Sequence, residues 1–249
     1  MIEAIYIMWQ RQIKTYIRSK QRMIGSLAQP ILFLIAFGFG LGGMFEQAGN
    51  GNYIQYLIPG IVGMTILFSS IMNGISLIWD KQFGFLKETL VAPVSRIDLL
   101  IGRCLGGATT ATFQGILLLF ISHLMGFRIN NWLYFPISIV FMFLMALLFT
   151  IMGTAIASKI NDFHAFPIII NFLIMPMFFL SGALFPVENF PLIIRLITKI
   201  NPMTYSIDIL RYFLSNTHSF NIWLDICIVL LFIIGLSIIG NHLFNKIEA

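Results

Sequence analysis

The hydrophobic and polar positions divide the chain into long apolar runs with short polar punctuation. Six runs qualify as membrane spans, at about 26–45, 53–78, 99–125, 132–157, 166–185 and 222–244. A hydrocarbon core near 30 Å and a helical rise near 1.5 Å per residue ask for roughly 20 apolar residues per crossing. The start of the chain follows a different pattern. On a helix, Ile2, Ile5, Tyr6, Trp9, Ile13, Tyr16 and Ile17 fall within an arc of about 120°. Arg11, Lys14, Arg18 and Arg22 gather opposite, while Ile7, Met8 and Lys20 break the pattern. Residues 1–25 are therefore expected to form an amphipathic helix in the membrane interface. Its Trp and Tyr suit the headgroup boundary, and its basic groups suit anionic lipid. The same pattern would also serve a helix packed on protein.

A second amphipathic pattern lies within 186–221. Leu192, Ile193, Leu196, Ile197 and Ile200 recur at helical spacing, Arg195 and Lys199 stand four apart, and Pro191 and Pro202 bracket them. This predicts a short helix at the outer surface that dips back into the membrane. The expected fold is an all-α membrane protein. Residues 26–249 form six transmembrane helices, preceded by an interfacial helix, with a re-entrant helical segment between the fifth and sixth.

Composition places the chain in a bilayer rather than in water. Of 249 residues 58% are hydrophobic and 10% charged, and 25 are Phe. A soluble domain carries about 25% charge and could not hide so much apolar side chain. The net charge of +5 does not point to nucleic acid, because the basic residues flank the apolar runs. Their distribution sets the orientation. One side collects eleven Lys and Arg and the other four, so the richer side, with both termini, is expected in the cytoplasm. That topology sends Cys104 and Cys227 toward opposite faces, so no disulfide is expected. The first run of residues has no uninterrupted apolar stretch, so a cleaved signal peptide is not expected either.

Soluble-enzyme chemistry is not visible. There is no phosphate-cradling G-x-x-x-x-G-K-[ST] stretch and no His/Cys cluster at metal spacing. His123, His164, His218 and His242 are scattered. No pair of carboxylates lies within one apolar run, and none of the six cores shows an obvious buried charge. Both facts weigh against an ion-coupled secondary transporter, although sodium held by the carbonyls of broken helices stays open. A lipid-processing enzyme would need a nucleophile or an acid–base set near one interface, and none stands out. No catalytic or metal residue is therefore assigned. Asn73, Thr109, Thr112 and Asn171 are candidates for a substrate route, or for hydrogen bonds between helices. Gly102-x-x-x-Gly106 is a signal for close helix packing. Asp208 and Arg211, three apart, are expected to form a structural ion pair on one helical turn.

One stretch runs against the composition. Residues 79–98 carry six charges among 20 positions. On a helix, Trp79, Phe83, Leu86 and Leu90 share an arc of about 60°, with Lys81 and Glu88 on the other side. Pro93 ends that helix, and Arg96 sits near the headgroups. The apolar seam would anchor the segment to its own bundle or to a partner, and the charged side would offer groups to a partner. The same charges could also do no more than fix topology.

Three stretches together resemble the ABC type-2 permease family, the membrane subunits of ABC exporters, with drug- and lipid-exporting bacterial or archaeal members looking nearest. They are DKQFGFLKETLVAPVSR (80–96), FLSGALFPVENFP (179–191) and NPMTYSIDILRY (201–212). Asp80, Lys81, Gly84, Leu86, Leu90, Val91, Pro93, Ser95 and Arg96 match the first pattern. Gln82 and Lys87 depart from it where acids are common. The resemblance implies a permease that is not itself an enzyme and binds no cofactor. ATP and Mg would be bound by a separate ATPase subunit, and a second permease chain, identical or not, would complete a dimer in a prokaryotic plasma membrane. It further implies that the ATPase meets two parts of this chain. One is the interfacial helix with Trp9, Arg11, Lys14, Arg18 and Arg22. The other is the coupling segment 79–98 with Asp80, Lys81, Gly84, Leu86, Lys87, Glu88, Pro93 and Arg96. The cargo would be amphiphilic, lipid-like or drug-like. An ion-coupled transporter and an integral lipid-processing enzyme stand as the alternatives.

Overall fold

A computed structural model describes residues 2–47, 52–85, 94–160, 162–187 and 190–245. Within them the chain is helical throughout: α1 (Ile2–Arg18), α2 (Lys20–Gln47), α3 (Tyr53–Met72), α4 (Ile75–Gln82), α5 (Arg96–Leu124), α6 (Phe135–Lys159), α7 (Ala165–Phe179), α8 (Leu192–Ile200), α9 (Pro202–Ser215) and α10 (Ile222–Asn245). Five helical stretches are long and apolar enough to cross a membrane: Met23–Gly43, Tyr53–Gln82, Arg96–Leu124, Trp132–Lys159 and Ile222–Asn245. The expected span at 166–185 is instead α7, with 15 residues, or about 22 Å of helix. It stops because residues 180–185 turn. Gly182 takes φ +78, a left-handed conformation that a helix cannot contain.

The core lies among α3, α5 and α6. α3 is buried along almost its whole length, and α6 is apolar all round, as a helix enclosed by others should be. α9 lies across one end of this core and is itself almost wholly buried. α2 packs on α3, while α10 packs on α6 and α9. Both leave apolar side chains outward: Ile24, Leu32, Ile35 and Phe39 on α2, and Trp223, Leu231, Ile234 and Ile238 on α10. The predicted run at 53–78 is interrupted at Asn73 and Gly74. There the chain presses against α6. A Cβ on Gly74 would lie 2.5 Å from the carbonyl oxygen of Gly153.

α1 packs along α5, so the protein-packing alternative for this helix holds for one of its faces. Met8, Gln12 and Tyr16 form its buried stripe, at the four-residue spacing that puts side chains on one face. Opposite them stand Gly102 and Gly106. A Cβ on Gly102 would meet the carbonyl oxygen of Ile5 at 2.6 Å, and one on Gly106 the Gln12 Cβ at 2.6 Å. The glycine spacing thus serves α1, which meets α5 beside its first turns. Met8, which broke the expected pattern, belongs to the buried stripe. Ile2, Tyr6 and Ile17 stay exposed, so the helix also keeps an apolar side free of the bundle. α1 ends at Arg18, and Lys20 and Arg22 start α2; the Arg22 side chain lies outside the described residues. Gly102→Leu should force α1 off α5 at about 1–3 kcal/mol for the overpacking. Limited proteolysis of the solubilised protein should then cut within 2–18 faster than in the wild type. Unchanged protection would mean that the glycine contact does not hold the helix.

Candidate functional site

Asp80 in α4 is the centre of a charged node at the end of the bundle that carries α1. Its Oδ1 accepts from the Arg11 guanidinium of α1 at 2.7 Å, and its Oδ2 accepts from Arg103 of α5. Arg103 also donates to Ser76 Oγ at 3.0 Å. Asp80 is 7% exposed and Arg103 3%, so two charges expected near the surface are buried as a pair. This corrects the reading that no span buries a charge, because Arg103 lies inside the third run. A buried pair of this kind persists only where both charges are matched.

The neighbouring Lys81 closes a different helix. Its Nζ donates to the carbonyl oxygens of Ala157 at 3.1 Å, Ser158 at 2.7 Å and Ile160 at 3.4 Å. Ala157 and Ser158 lie in the last turn of α6, whose carbonyls lack partners further along the helix, and Ile160 follows directly after it; a cation there complements the helix dipole. Arg96, at the start of α5, donates to the Asn245 carbonyl of α10 at 2.7 Å. The flanks of 79–98 therefore hold α1, α5, α6 and α10 in one assembly.

Where the segment is described, its apolar seam faces away from the bundle, the partner side of its two expected roles. Asp80 and Lys81 point into the bundle, while Trp79, Phe83 and Phe85 are exposed. The Trp79 and Phe83 rings stack at 5.2 Å, and Phe163 meets Trp79 edge-on at 5.0 Å. Gly84, at φ +78, has open space around it. Leu86, Lys87, Glu88 and Pro93 lie outside the described residues. Lys14 and Arg18 of α1 are exposed, and Trp9 donates its indole N–H to Thr109 Oγ1 at 3.1 Å.

Beside this node a cavity of about 610 Å³ opens between α1, α2, α3 and α5. Its wall is mainly apolar, with Phe68, Met72, Ile75 and Trp79, and carries Ser26, Gln29, Ser69, Asn73 and Gln114 as polar groups. Of the four route candidates it includes Asn73, whose amide donates to the Gly107 carbonyl at 3.2 Å and to Thr110 Oγ1 at 3.3 Å. Thr109 sits at the α1 contact. Thr112 donates to the Ala108 carbonyl within its own helix at 2.8 Å. Asn171 is exposed on α7. The structure does not bring the four together. Ser26 and Gln29 escaped the sequence reading because α2 is apolar overall; Gln114 donates to Ser26 Oγ at 2.8 Å.

Residues 3–215 match the ABC-2 type transporter family. The chain belongs to that family. It is 26% identical to the putative transport permease ycf38 of Cyanophora paradoxa, over 99% of this chain and 89% of that protein. It is 23% identical to nodulation protein J of Rhizobium leguminosarum bv. viciae, over 97% and 91%. It is 25% identical to the inner membrane transport permease YadH of Escherichia coli K12, over 84% and 82%. The protein is thus a multi-pass membrane permease of an ABC transporter, a class that works with ATP-binding subunits and is not itself enzymatic.

The permease's other end is organised by Arg211 of α9. Its Nη2 donates to the carbonyls of Gly182 at 2.7 Å and Ala183 at 3.1 Å, and its Nε to that of Tyr56 at 3.4 Å. The guanidinium also lies 3.7 Å over the Tyr56 ring. Tyr56 donates its hydroxyl to Gly182 at 2.8 Å, and Tyr53 donates to Leu184 at 3.1 Å. These bonds hold the 180–185 turns onto α3, where a Cβ on Gly60 would lie 2.4 Å from the Ala183 oxygen. Asn201 caps α9 through the Met203 N–H at 3.0 Å and donates to the Met177 carbonyl at 2.6 Å. The expected Asp208–Arg211 ion pair does not form. Asp208 accepts instead from the backbone N–H groups of Ser219 and Phe220. The turn spacing allowed the pair, but each side chain found backbone partners brought to it by another segment.

Proposed function

We propose that this permease exports an amphiphilic, lipid-like or drug-like substrate, driven by a separate ATPase subunit that docks at the α1 end. In this reading both termini and the α1 end face the cytoplasm of a prokaryotic cell, α7 with the turns after it makes the fifth of six crossings, and 186–221 forms the outer re-entrant segment. A second permease chain completes the transporter. The observation that carries the proposal is the arrangement around Asp80 and Lys81. The segment that exposes Trp79, Phe83 and Phe85 is anchored through these two charges to α1, α5 and α6. Force applied at 79–98 would therefore move whole helices as a body, as a rigid tilt requires. The cavity beside the node suits an amphiphile, since ligand sites are concave and apolar with few polar groups.

The test is mild-detergent purification from native membranes. The chain alone should hydrolyse no ATP and should bring down a subunit with a Walker loop. Phe83→Asp, on an exposed ring, should lower the recovered ATPase by about tenfold or more, as loss of an interface anchor does. Recovery of no ATPase, or amphiphile efflux from vesicles that persists without ATP, would overturn the proposal.

A further inference from the structure

The link between α9 and α10 buries two carboxylates together. Asp208, 2% exposed, accepts from the Ser219 N–H at 2.9 Å and 3.1 Å through its two oxygens and from the Phe220 N–H at 2.9 Å. Three such bonds suit an ionised carboxylate, and they pin the link 216–221. Asp225, in the first turn of α10, is 0% exposed. Its carboxyl lies within hydrogen-bonding reach of the Asp208 carboxyl. The sequence hides this pairing because the two residues sit on different helices, 17 positions apart.

Among the described residues no other side chain offers Asp225 a proton or a positive charge. Tyr205, a phenol that senses its charge, donates to the Lys199 carbonyl at 2.6 Å. Arg211 is turned to Gly182, Ala183 and Tyr56. His218 stacks edge-on against Tyr212 at 5.5 Å. Tyr53 and Tyr56 of α3 donate to Leu184 and Gly182. α6, which also packs on α10, has Lys159 as its titratable residue, at its far end. Both Asp225 oxygens are buried without a hydrogen-bond partner. Two ionised carboxylates cannot sit so in low dielectric without a counter-charge. One proton between them removes the conflict. Asp225 then donates to Asp208, and Asp208 keeps its three acceptor bonds. A metal cation would need several more oxygens, and among the described residues no third His, Cys, Asp or Glu joins the pair.

We propose that Asp208 and Asp225 form a binding site for one proton, shared between their carboxyls, that fastens the α9–α10 link and the first turn of α10 onto α9. Loss of that proton leaves two buried negative charges side by side. α10 is otherwise held chiefly by α6, so its first turn is the part that separates. The site makes this end of the helix sensitive to pH whichever way the substrate moves.

Infrared spectra of the solubilised permease in light and heavy water test this directly. At neutral pH the wild type should show a protonated-carboxyl stretch that Asp225→Asn abolishes. Thermal unfolding gives the second readout. The folded state holds a proton that the unfolded chain releases, so wild-type stability should fall as pH rises until the pair itself lets go. Between about pH 6 and about pH 9 the wild-type midpoint should drop by about 5 °C more than that of Asp225→Asn. The variant's carboxamide can donate to Asp208 at every pH. Parallel pH profiles, or no protonated-carboxyl band assignable to this pair, overturn the proposal. Should Asp225→Asn not fold, Asp208→Asn and a wild-type infrared pH titration decide the same point.

Discussion

Asp80→Ala is expected to lower the unfolding midpoint of the solubilised permease by roughly 6–20 °C. The substitution strands the Arg103 guanidinium, 3% exposed, with Ser76 Oγ at 3.0 Å as a remaining acceptor. Breaking a buried pair from one side costs about 3–5 kcal/mol, because the surviving charge stays desolvated. For a chain of this size each kcal/mol moves the midpoint by about 2–4 °C. Arg11→Ala should cost no more than about 1 kcal/mol, since that side chain is 39% exposed and water can replace it. The asymmetry is the diagnostic result. A double-mutant cycle should show strong coupling between Asp80 and Arg103 and weak coupling between Asp80 and Arg11. Equal, small effects of all three changes would mean that the node does not hold the helices together. In transport assays Asp80→Ala should abolish ATP-driven transport even at temperatures where the fold persists, because α1 and α5 lose their common anchor.

Arg211→Ala is expected to cost about 2–4 kcal/mol. The side chain donates to three backbone carbonyls and lies 3.7 Å over the Tyr56 ring. Its removal leaves the Ala183 carbonyl without that donor in a buried turn, and Gly182 keeps the Tyr56 hydroxyl. Arg211→Lys should recover only part of the loss, because an ammonium cannot reproduce the planar fork or the ring stacking. The readout besides the midpoint is protease access to residues 180–187, which should rise as the turns leave α3. Asp208→Ala should be destabilising on its own account, through the Ser219 and Phe220 amides, and nearly additive with Arg211→Ala. A coupling above about 2 kcal/mol would restore the ion pair that the one-turn spacing suggested.

The places where sequence and structure part are instructive. Met8 looked like a flaw in an amphipathic helix, because the pattern was scored for a bilayer on one side and water on the other. α1 has a third neighbour, α5, and Met8 faces it. The expected fifth span was too long because Leu180, Ala183, Leu184 and Phe185 are apolar. Ala183 and Leu184 are apolar to pack as turns, with their carbonyls satisfied by Arg211 and Tyr53 rather than by helix, while Phe185 stays exposed. Lys81 was assigned to the polar side of a coupling helix, and Phe83 to an apolar seam that would face the bundle or a partner. The structure puts Asp80 and Lys81 inside and the aromatic ring outside, since the carbonyls ending α6 and the guanidinium of Arg103 offer those charges better partners than water does.

The sequence by itself determined that the chain is helical, that it belongs in a bilayer, where most apolar helices begin and end, and that three stretches carry a permease pattern. These properties are sums over neighbouring residues: transfer of apolar side chains from water accumulates locally and needs no knowledge of the rest of the chain. Only the tertiary structure decided which polar groups meet. Arg11 finds Asp80 across 69 positions, Lys81 finds the end of α6 across 76 and Arg211 finds Tyr56 across 155, while Asp225 is brought to Asp208 by the turn of the α9–α10 link. A buried polar group must be satisfied by whatever packing brings to it. That is a property of which helices touch, and no local pattern records it.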